Sequence, residues 1–209
     1  MKILLVDDHA VVRRGARELL AEEFPAAEFS EAANGEEAVA IADRTAFDLV
    51  VLDITMPRRG GLDALKELRA RSPKLPVLVL SYHAEEQYAV RALRAGAQGY
   101  LRKDSAPKEL ARAARKLLAG GKYISAAVAE RLADALDPAA ERPLHAMLSD
   151  RELLVLTLLA AGKSVKDIAV ELSLSEKTVS TYRARVLQKM CMQSNAELIR
   201  YALRHGLVE

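Results

Sequence analysis

Residues 48 to 57 read DLVVLDITMP: an apolar run, Leu49, Val50, Val51 and Leu52, closes on a carboxylate, Asp53. Four branched apolar residues in a row suit a strand covered on both faces, as in a parallel sheet. A lone buried carboxylate is expensive, so Asp53 is expected just past the buried part of its strand, at a site.

Working outward, the same pattern recurs. KILLV (2 to 6), EFSE (28 to 31), PVLVLS (76 to 81) and QGYL (98 to 101) also read as strands. Between and after the five runs lie VVRRGARELLAEE, GEEAVAIADR, GLDALKELRAR, AEEQYAVRALRAG and APKELARAARKLLAGG, each with apolar residues at helical spacing. Strict alternation of strand and helix implies right-handed crossovers and a doubly wound parallel α/β sheet. Ligands of such sheets gather beyond the carboxyl ends of the strands. Asp7 and Asp8 follow the first strand, Asp53 ends the third, Ser81 ends the fourth and Lys103 follows the fifth, so one edge collects them all. Three carboxylates in one pocket call for a hard divalent cation with oxygen ligands, which means Mg²⁺. A carboxylate beside it can act as a nucleophile toward a phosphoryl group, with Ser81 and Lys103 placed to meet the phosphoryl oxygens.

Composition sets the frame. A chain of 209 residues with 51% hydrophobic and 29% charged content suits one large or two small globular domains. No apolar run reaches the roughly 20 residues needed to span a bilayer, and MKILLVDDH does not have the order of a signal peptide, so a cytoplasmic location with no membrane partner is expected. A single cysteine excludes an internal disulfide and a multi-cysteine zinc site. Flanked by Met190 and Met192, Cys191 reads as a small buried hydrophobe. His9, His83, His145 and His205 show no metal-ligand spacing and read as surface or locally bonded residues.

From Gly120 to about Met147 periodicity weakens. GGKYISAAVAERLADAL can hold a short helix, and DPAAERPLHAM reads as a linker. Beyond it Ser149 with Glu152, Ser164 with Asp167, Ser175 before Glu176, and Ser194 with Glu197 mark four helix starts, the first and last of them capping boxes. The expected organisation is a first domain over 1–120, a linker over 121–145 and a small all-α domain over 146–209. The tight connection LSLSEKT is the turn of a helix-turn-helix. In the helix that follows, Val179, Val186 and Met190 would face the core, with Lys177, Arg183, Arg185 and Lys189 largely off that stripe. From Ser149 onward there are nine Lys or Arg against seven Asp or Glu, and 22 of each before it, so the small net charge of +2 belongs to this domain.

The set Asp7, Asp8, Asp53, Met56, Pro57, Gly61, Ser81, Gly96, Ala97, Tyr100 and Lys103 resembles the receiver domain of a bacterial two-component response regulator, with its flavodoxin-like five-stranded fold. LSDRELLVLTLLAAGKSVKDIAVELSLSEKTVSTYRARVLQKM resembles the LuxR-type DNA-binding domain, and together they resemble the NarL/FixJ subfamily. The resemblance implies that Asp53 accepts phosphate from a sensor histidine kinase. It also implies that Asp8, Asp53 and the Thr55 carbonyl ligate Mg²⁺ with Asp7 acting through water, and that Ser81 and Tyr100 form a switch pair. His83, two positions after Ser81, stands where receiver side chains modulate access of water. Asp104 stands where proline often follows the lysine, Tyr182 where histidine is frequent and Ser180 where lysine is frequent. Ser180, Thr181 and Ala184 would face base edges of double-stranded DNA, an inverted-repeat operator, with Lys177, Thr178, Arg183, Arg185 and Lys189 on phosphates or edges. In NAELIRYALRHG, Leu198, Ile199, Ala202 and Leu203 form a wide apolar arc that suggests a homodimer. Phosphorylation would release a masked recognition helix or pair two receivers. The chain is thus expected to be a regulator and not a dedicated enzyme. A haloacid dehalogenase-like phosphatase fits poorly, because ITMP follows Asp53 and the acidic pair sits elsewhere. A phosphate-independent DNA binder would be expected to lose part of the pocket, and none is lost.

Overall fold

The computed structural model describes residues 1–56, 60–81, 85–104, 107–134 and 143–208. Pro57 and His83 lie outside the described residues. The chain forms two compact units, Met1–Ala133 and Asp134–Glu209.

In the first unit β1 (Lys2–Val6), β2 (Glu28–Ala32), β3 (Leu49–Asp53), β4 (Val77–Ser81) and β5 (Gly99–Arg102) form one parallel sheet in the order β2-β1-β3-β4-β5. Position in the sheet explains composition. Every residue of β3 and β4 is buried, whereas β2, at an edge and reading EFSEA, is largely half-exposed. Helices α1 (Ala10–Glu23), α2 (Gly35–Ala42), α3 (Gly61–Arg71), α4 (Glu85–Arg94) and α5 (Pro107–Leu118) connect the strands or follow the last one. One core joins Leu20 of α1 and Leu110, Ala113, Ala114 and Leu117 of α5 to Ile3, Leu5, Leu49, Val51, Leu78 and Leu80 of the sheet. Register sets the functional edge: Val6 pairs with Leu52, Asp53 with Leu80 and Ser81 with Arg102, so the ends of four strands are level.

The segment expected to begin a linker is partly built into this unit. Tyr123 forms a parallel bridge to Gly99, its N–H donating to the Gln98 carbonyl and its carbonyl accepting from the Tyr100 N–H, both at 3.0 Å. The Tyr123 hydroxyl donates to Glu109, and the Lys116 ammonium lies 5.9 Å from its ring centre. A helix, α6 (Ala126–Asp134), follows with Val128 fully buried.

In the second unit a 3-10 turn (Leu144–Met147) precedes α7 (Asp150–Ala160), α8 (Val165–Glu171), α9 (Glu176–Lys189) and α10 (Asn195–Arg204). Ser149 with Glu152 and Ser164 with Asp167 close full capping boxes, and Ser175 caps α9. At Ser194 the side chain accepts from the Glu197 N–H, but the Glu197 carboxylate turns to the Gln193 N–H, so this expected box is half made. α7 packs against both α9 and α10, and α8 packs on α9. Both α8 and α9 end in Schellman motifs. Ser173 and Cys191 take the left-handed conformation (φ 51° and 54°), and the next residues bond back, Leu174 to Ala169 and Met192 to Leu187. Cys191 is therefore exposed, contrary to the burial expected from its methionine neighbours: the helix end, not hydrophobicity, fixes its place. His145 is buried instead, its Nδ1 2.9 Å from the Tyr201 hydroxyl across the domain.

Candidate functional site

Three carboxylates and one ammonium meet at the level strand ends. Lys103, first residue after β5, reaches back so that Nζ lies 2.6 Å from Asp7 Oδ2 and 2.7 Å from Asp53 Oδ2, with all three side chains no more than 6% exposed. Lys103 is held firmly protonated: its own burial opposes the charge, but two carboxylates outweigh it. Asp53 is pushed the same way, toward its protonated and here neutral form. Burial raises its pKa above the usual value, Asp7 adds to the rise, and the shared Lys103 offsets only part. The two directions agree physically, since the lysine faces two anions while Asp53 shares one cation with another anion.

The backbone fixes the remaining oxygens. The Thr55 N–H donates to Asp53 Oδ1 at 2.9 Å and the His9 N–H to Asp7 Oδ1 at 2.8 Å. Asp8 Oδ1 is buried and accepts no hydrogen bond of sound geometry among the described residues, although His9 Nδ1 lies 3.0 Å away. With three acids against one ammonium, and a buried carboxylate oxygen left over, the donor set fits a hard divalent cation such as Mg²⁺. Ser81 is fully buried, its carbonyl accepting the Lys103 N–H at 2.9 Å, and Tyr100, 1% exposed, has its side chain inside the fold. Thr55, two residues after Asp53, has a buried hydroxyl with no hydrogen bond among the described residues. Arg102 pairs with Asp104 outside the pocket.

Two supports escaped the sequence reading. Arg13 of α1 donates to the Asp7 carbonyl at 2.6 Å while Glu31 of β2 holds its Nε at 3.1 Å, which braces the turn after β1. Gly61 opens α3 against the Asp53 backbone, where a Cβ would fall 2.8 Å from the Asp53 carbonyl carbon and closer still to its oxygen. Arg13, one helical turn after His9, is the signal for the first; Gly61 is singled out by the resemblance, without this reason.

The chain matches the model of the response regulator receiver domain over residues 3–115 and that of the bacterial regulatory proteins of the luxR family over residues 146–202. The chain belongs to the NarL/FixJ subfamily of two-component response regulators. It is 36% identical over 208 residues to the response regulator UvrY of Escherichia coli K12, covering 99% of this chain and 95% of UvrY. It is 35% identical over 210 residues to GacA of Pseudomonas aeruginosa, covering 100% and 98%. Among solved structures, that of the response regulator RcsB in complex with DNA matches with TM-score 0.58 and 25% identity, covering 97% of this chain and 98% of that one.

In this response regulator the candidate DNA-reading helix is α9. Lys177, Ser180, Thr181, Ala184 and Arg185 are exposed on one side, opposite buried Val179, Val186 and Met190. Thr178 is half-buried, and its hydroxyl lies 2.8 Å from that of Ser175. Arg183 and Lys189 also make bonds within the domain. Arg183 follows Val179 by four residues, which returns it toward the core side, where its Nε donates to Asn195 Oδ1 at 2.7 Å. The Lys189 ammonium lies 2.6 Å from the buried carboxylate of Glu152, while the lysine itself stays partly exposed. The expected dimer arc is corrected as well. Leu198 and Ala202 are fully buried in their own domain, Ile199 is half-buried, and Leu203, 52% exposed, is the fully outward member of the four.

Proposed function

We propose that the protein is a phosphorylation-controlled transcriptional regulator in which Asp53 accepts a phosphoryl group from a sensor histidine kinase and the second domain then binds an inverted-repeat operator as a homodimer. The observation that carries this is the Lys103 ammonium between buried Asp7 and Asp53. It keeps a nucleophilic carboxylate in place beside a cation that can follow the charge onto a phosphoryl oxygen. Asp8, Asp53 and the Thr55 carbonyl would hold Mg²⁺ directly and Asp7 through water. When bound it would neutralise charge between the carboxylate and the incoming phosphoryl group. An Asp53 oxygen attacks phosphorus, the bond to the donor breaks, and the donor keeps the bonding pair. Lys103 then pairs with the phosphoryl group, Ser81 donates to it, and Tyr100 holds its inward position. On this reading the protein acts in the cytoplasm and is not a dedicated enzyme. Among its described residues no helix is long and apolar enough to cross a membrane.

RcsB in complex with DNA supports the second half of the proposal, and the exposed face of α9 supplies Lys177 and Arg185 for phosphates or base edges. Labelling with acetyl phosphate and Mg²⁺ tests the first half. Wild type should incorporate phosphate, Asp53→Asn should not, and undiminished labelling of Asp53→Asn would overturn the assignment.

A further inference from the structure

We propose that Arg13 is a positioning residue for the acidic pocket: its guanidinium bridges the Asp7 carbonyl and Glu31 and thereby sets where the Asp8 carboxylate stands toward a cation. The inference rests on the reading of this pocket as a Mg²⁺ site and goes beyond it to what holds that site in shape.

Three residues, Asp7 to His9, join β1 to α1 and carry two of the acids. Asp7 is anchored by more than Lys103. Its N–H donates to the Ala32 carbonyl at 3.2 Å, and its Oδ1 accepts the His9 N–H at 2.8 Å. Asp8 has no such anchor. Its Oδ1 accepts no hydrogen bond of sound geometry among the described residues, and the neighbouring His9 is exposed. The Asp8 carboxylate is therefore placed by its backbone. The peptide joining Asp7 to Asp8 is planar, so a grip on the Asp7 carbonyl fixes the plane from which the Asp8 side chain starts. Arg13 supplies that grip through Nη1, at 2.6 Å.

An ordinary surface role does not explain this arginine. A cation near the N-terminus of a helix opposes the helix dipole, and α1 has no acid in its first turn to offset it. Arg14 shows the ordinary case, pairing with Glu18 four residues on while both side chains stay exposed. The Arg13 side chain is only 16% exposed, and its Nε donates to Glu31 of β2 at 3.1 Å. A planar fork can hold a carbonyl and a carboxylate in fixed directions at once. Glu31 pairs with Leu5 of β1, so the strand register sets the separation of the two acceptors.

Charge and position predict opposite signs. Removing a cation close to three acids should tighten the binding of any divalent ion. Releasing the Asp7–Asp8 plane should loosen it, and should loosen Mg²⁺, which demands near-ideal octahedral geometry, more than Ca²⁺, which tolerates irregular sites.

Mg²⁺ and Ca²⁺ titrations of the full-length protein, followed by NMR at the amides of residues 7 to 10 and 53 to 55, read the difference. In Arg13→Met the Mg²⁺ affinity should fall by about tenfold, and the ratio of Mg²⁺ to Ca²⁺ affinity should fall with it. Glu31→Gln and Glu31→Ala remove the same charge, but the glutamine keeps an acceptor for Nε, so it should retain the higher Mg²⁺ affinity of the two. Unfolding midpoints without added ions separate stability from binding. Wild-type or tighter Mg²⁺ binding in Arg13→Met overturns the proposal whatever its midpoint, and so does an equal loss for both ions. Equal Mg²⁺ affinities in the two Glu31 variants overturn the bridge. Wild-type amides that do not respond to Mg²⁺ at all would refute the cation reading itself, and the proposal with it.

Discussion

Gly61 lies so close to the backbone of Asp53 that no side chain fits between them. The start of α3 is thereby packed on the end of β3, and the turn carrying Asp53 has no slack. Gly61→Ala should force the two apart. The expected cost is about 1 to 3 kcal/mol of stability, as for overpacking generally, together with slower labelling of Asp53 by acetyl phosphate. Urea unfolding and labelling rates measured on the same variant check this; wild-type values for both would mean the turn yields freely.

Lys103→Met should be more damaging than removal of an ordinary surface lysine. It leaves Asp7 and Asp53 buried and facing each other without their cation, a situation that typically costs about 3 to 5 kcal/mol. Adding Asp53→Asn should return much of that loss, because it removes the repulsion, and Mg²⁺ should stabilise Lys103→Met more than it stabilises the double variant. A double-mutant cycle in urea, with and without Mg²⁺, measures both. Simple additivity would show that the three charges do not act as a unit.

Much of this was open in the chain itself. An apolar run ending in Asp53 placed both a central strand and the site, because an unbroken apolar run marks a strand covered on both faces and ligands of parallel sheets gather beyond the carboxyl ends. What stayed hidden depends on side chains choosing between partners. Arg183 and Lys189 read from the sequence as DNA contacts, and only the packing of α9 on α7 and the nearness of the start of α10 reveal their internal bonds to Glu152 and Asn195. Leu198 and Ala202 belong to the core because a four-helix domain of this size uses nearly every apolar face. Tyr123 was invisible because one parallel bridge needs no strand-like run.

Glu152 should make the second domain sensitive to acid. Its pKa is lowered: burial alone would raise it, but the Lys189 ammonium and the Ser149 backbone and hydroxyl together outweigh that. A depressed folded-state pKa contributes stability above the unfolded value and loses it as pH falls. The contribution is therefore whole at neutral pH and disappears below the ordinary value of 4.5, through the lower folded value. Glu152→Gln keeps a capping box but removes the charge, so it should cost about 1 kcal/mol at pH 7, given that Lys189 is partly exposed. The gap to wild type should close in acid. Amide exchange of α7 and α9 across pH reads the difference, and a gap independent of pH would refute the ion-pair account.

Tyr123 ties the chain beyond α5 to the backbone on both sides of Gly99, one bond falling on Tyr100 itself. If phosphorylation alters the end of β5, the exchange rates of the Tyr100 and Tyr123 amides should change together on adding a phosphoryl mimic with Mg²⁺. Tyr123→Pro removes the Tyr123 N–H and should raise the exchange rate of the Tyr100 amide in the resting protein. An unaltered Tyr100 rate in that variant would show that the bridge holds nothing.

The exposed and internal residues of α9 should separate in DNA binding. Lys177 and Arg185 project from the reading side, so Lys177→Ala should weaken all sequences alike and flatten the salt dependence by about 0.9 in logarithmic slope if it meets a phosphate. Arg185→Ala should cost about 1 to 3 kcal/mol and relax preference at one base pair if it reads an edge. Arg183→Ala should behave differently. Its guanidinium holds Asn195 at the start of α10, so the loss should appear first as a lower unfolding midpoint of the second domain, with DNA affinity falling only as the fold does. Titrating operator and random duplexes at two salt concentrations, alongside thermal unfolding of each variant, distinguishes the roles. If Arg183→Ala kept its stability yet lost affinity at every salt, the internal bond would be incidental and Arg183 would belong on the reading face after all.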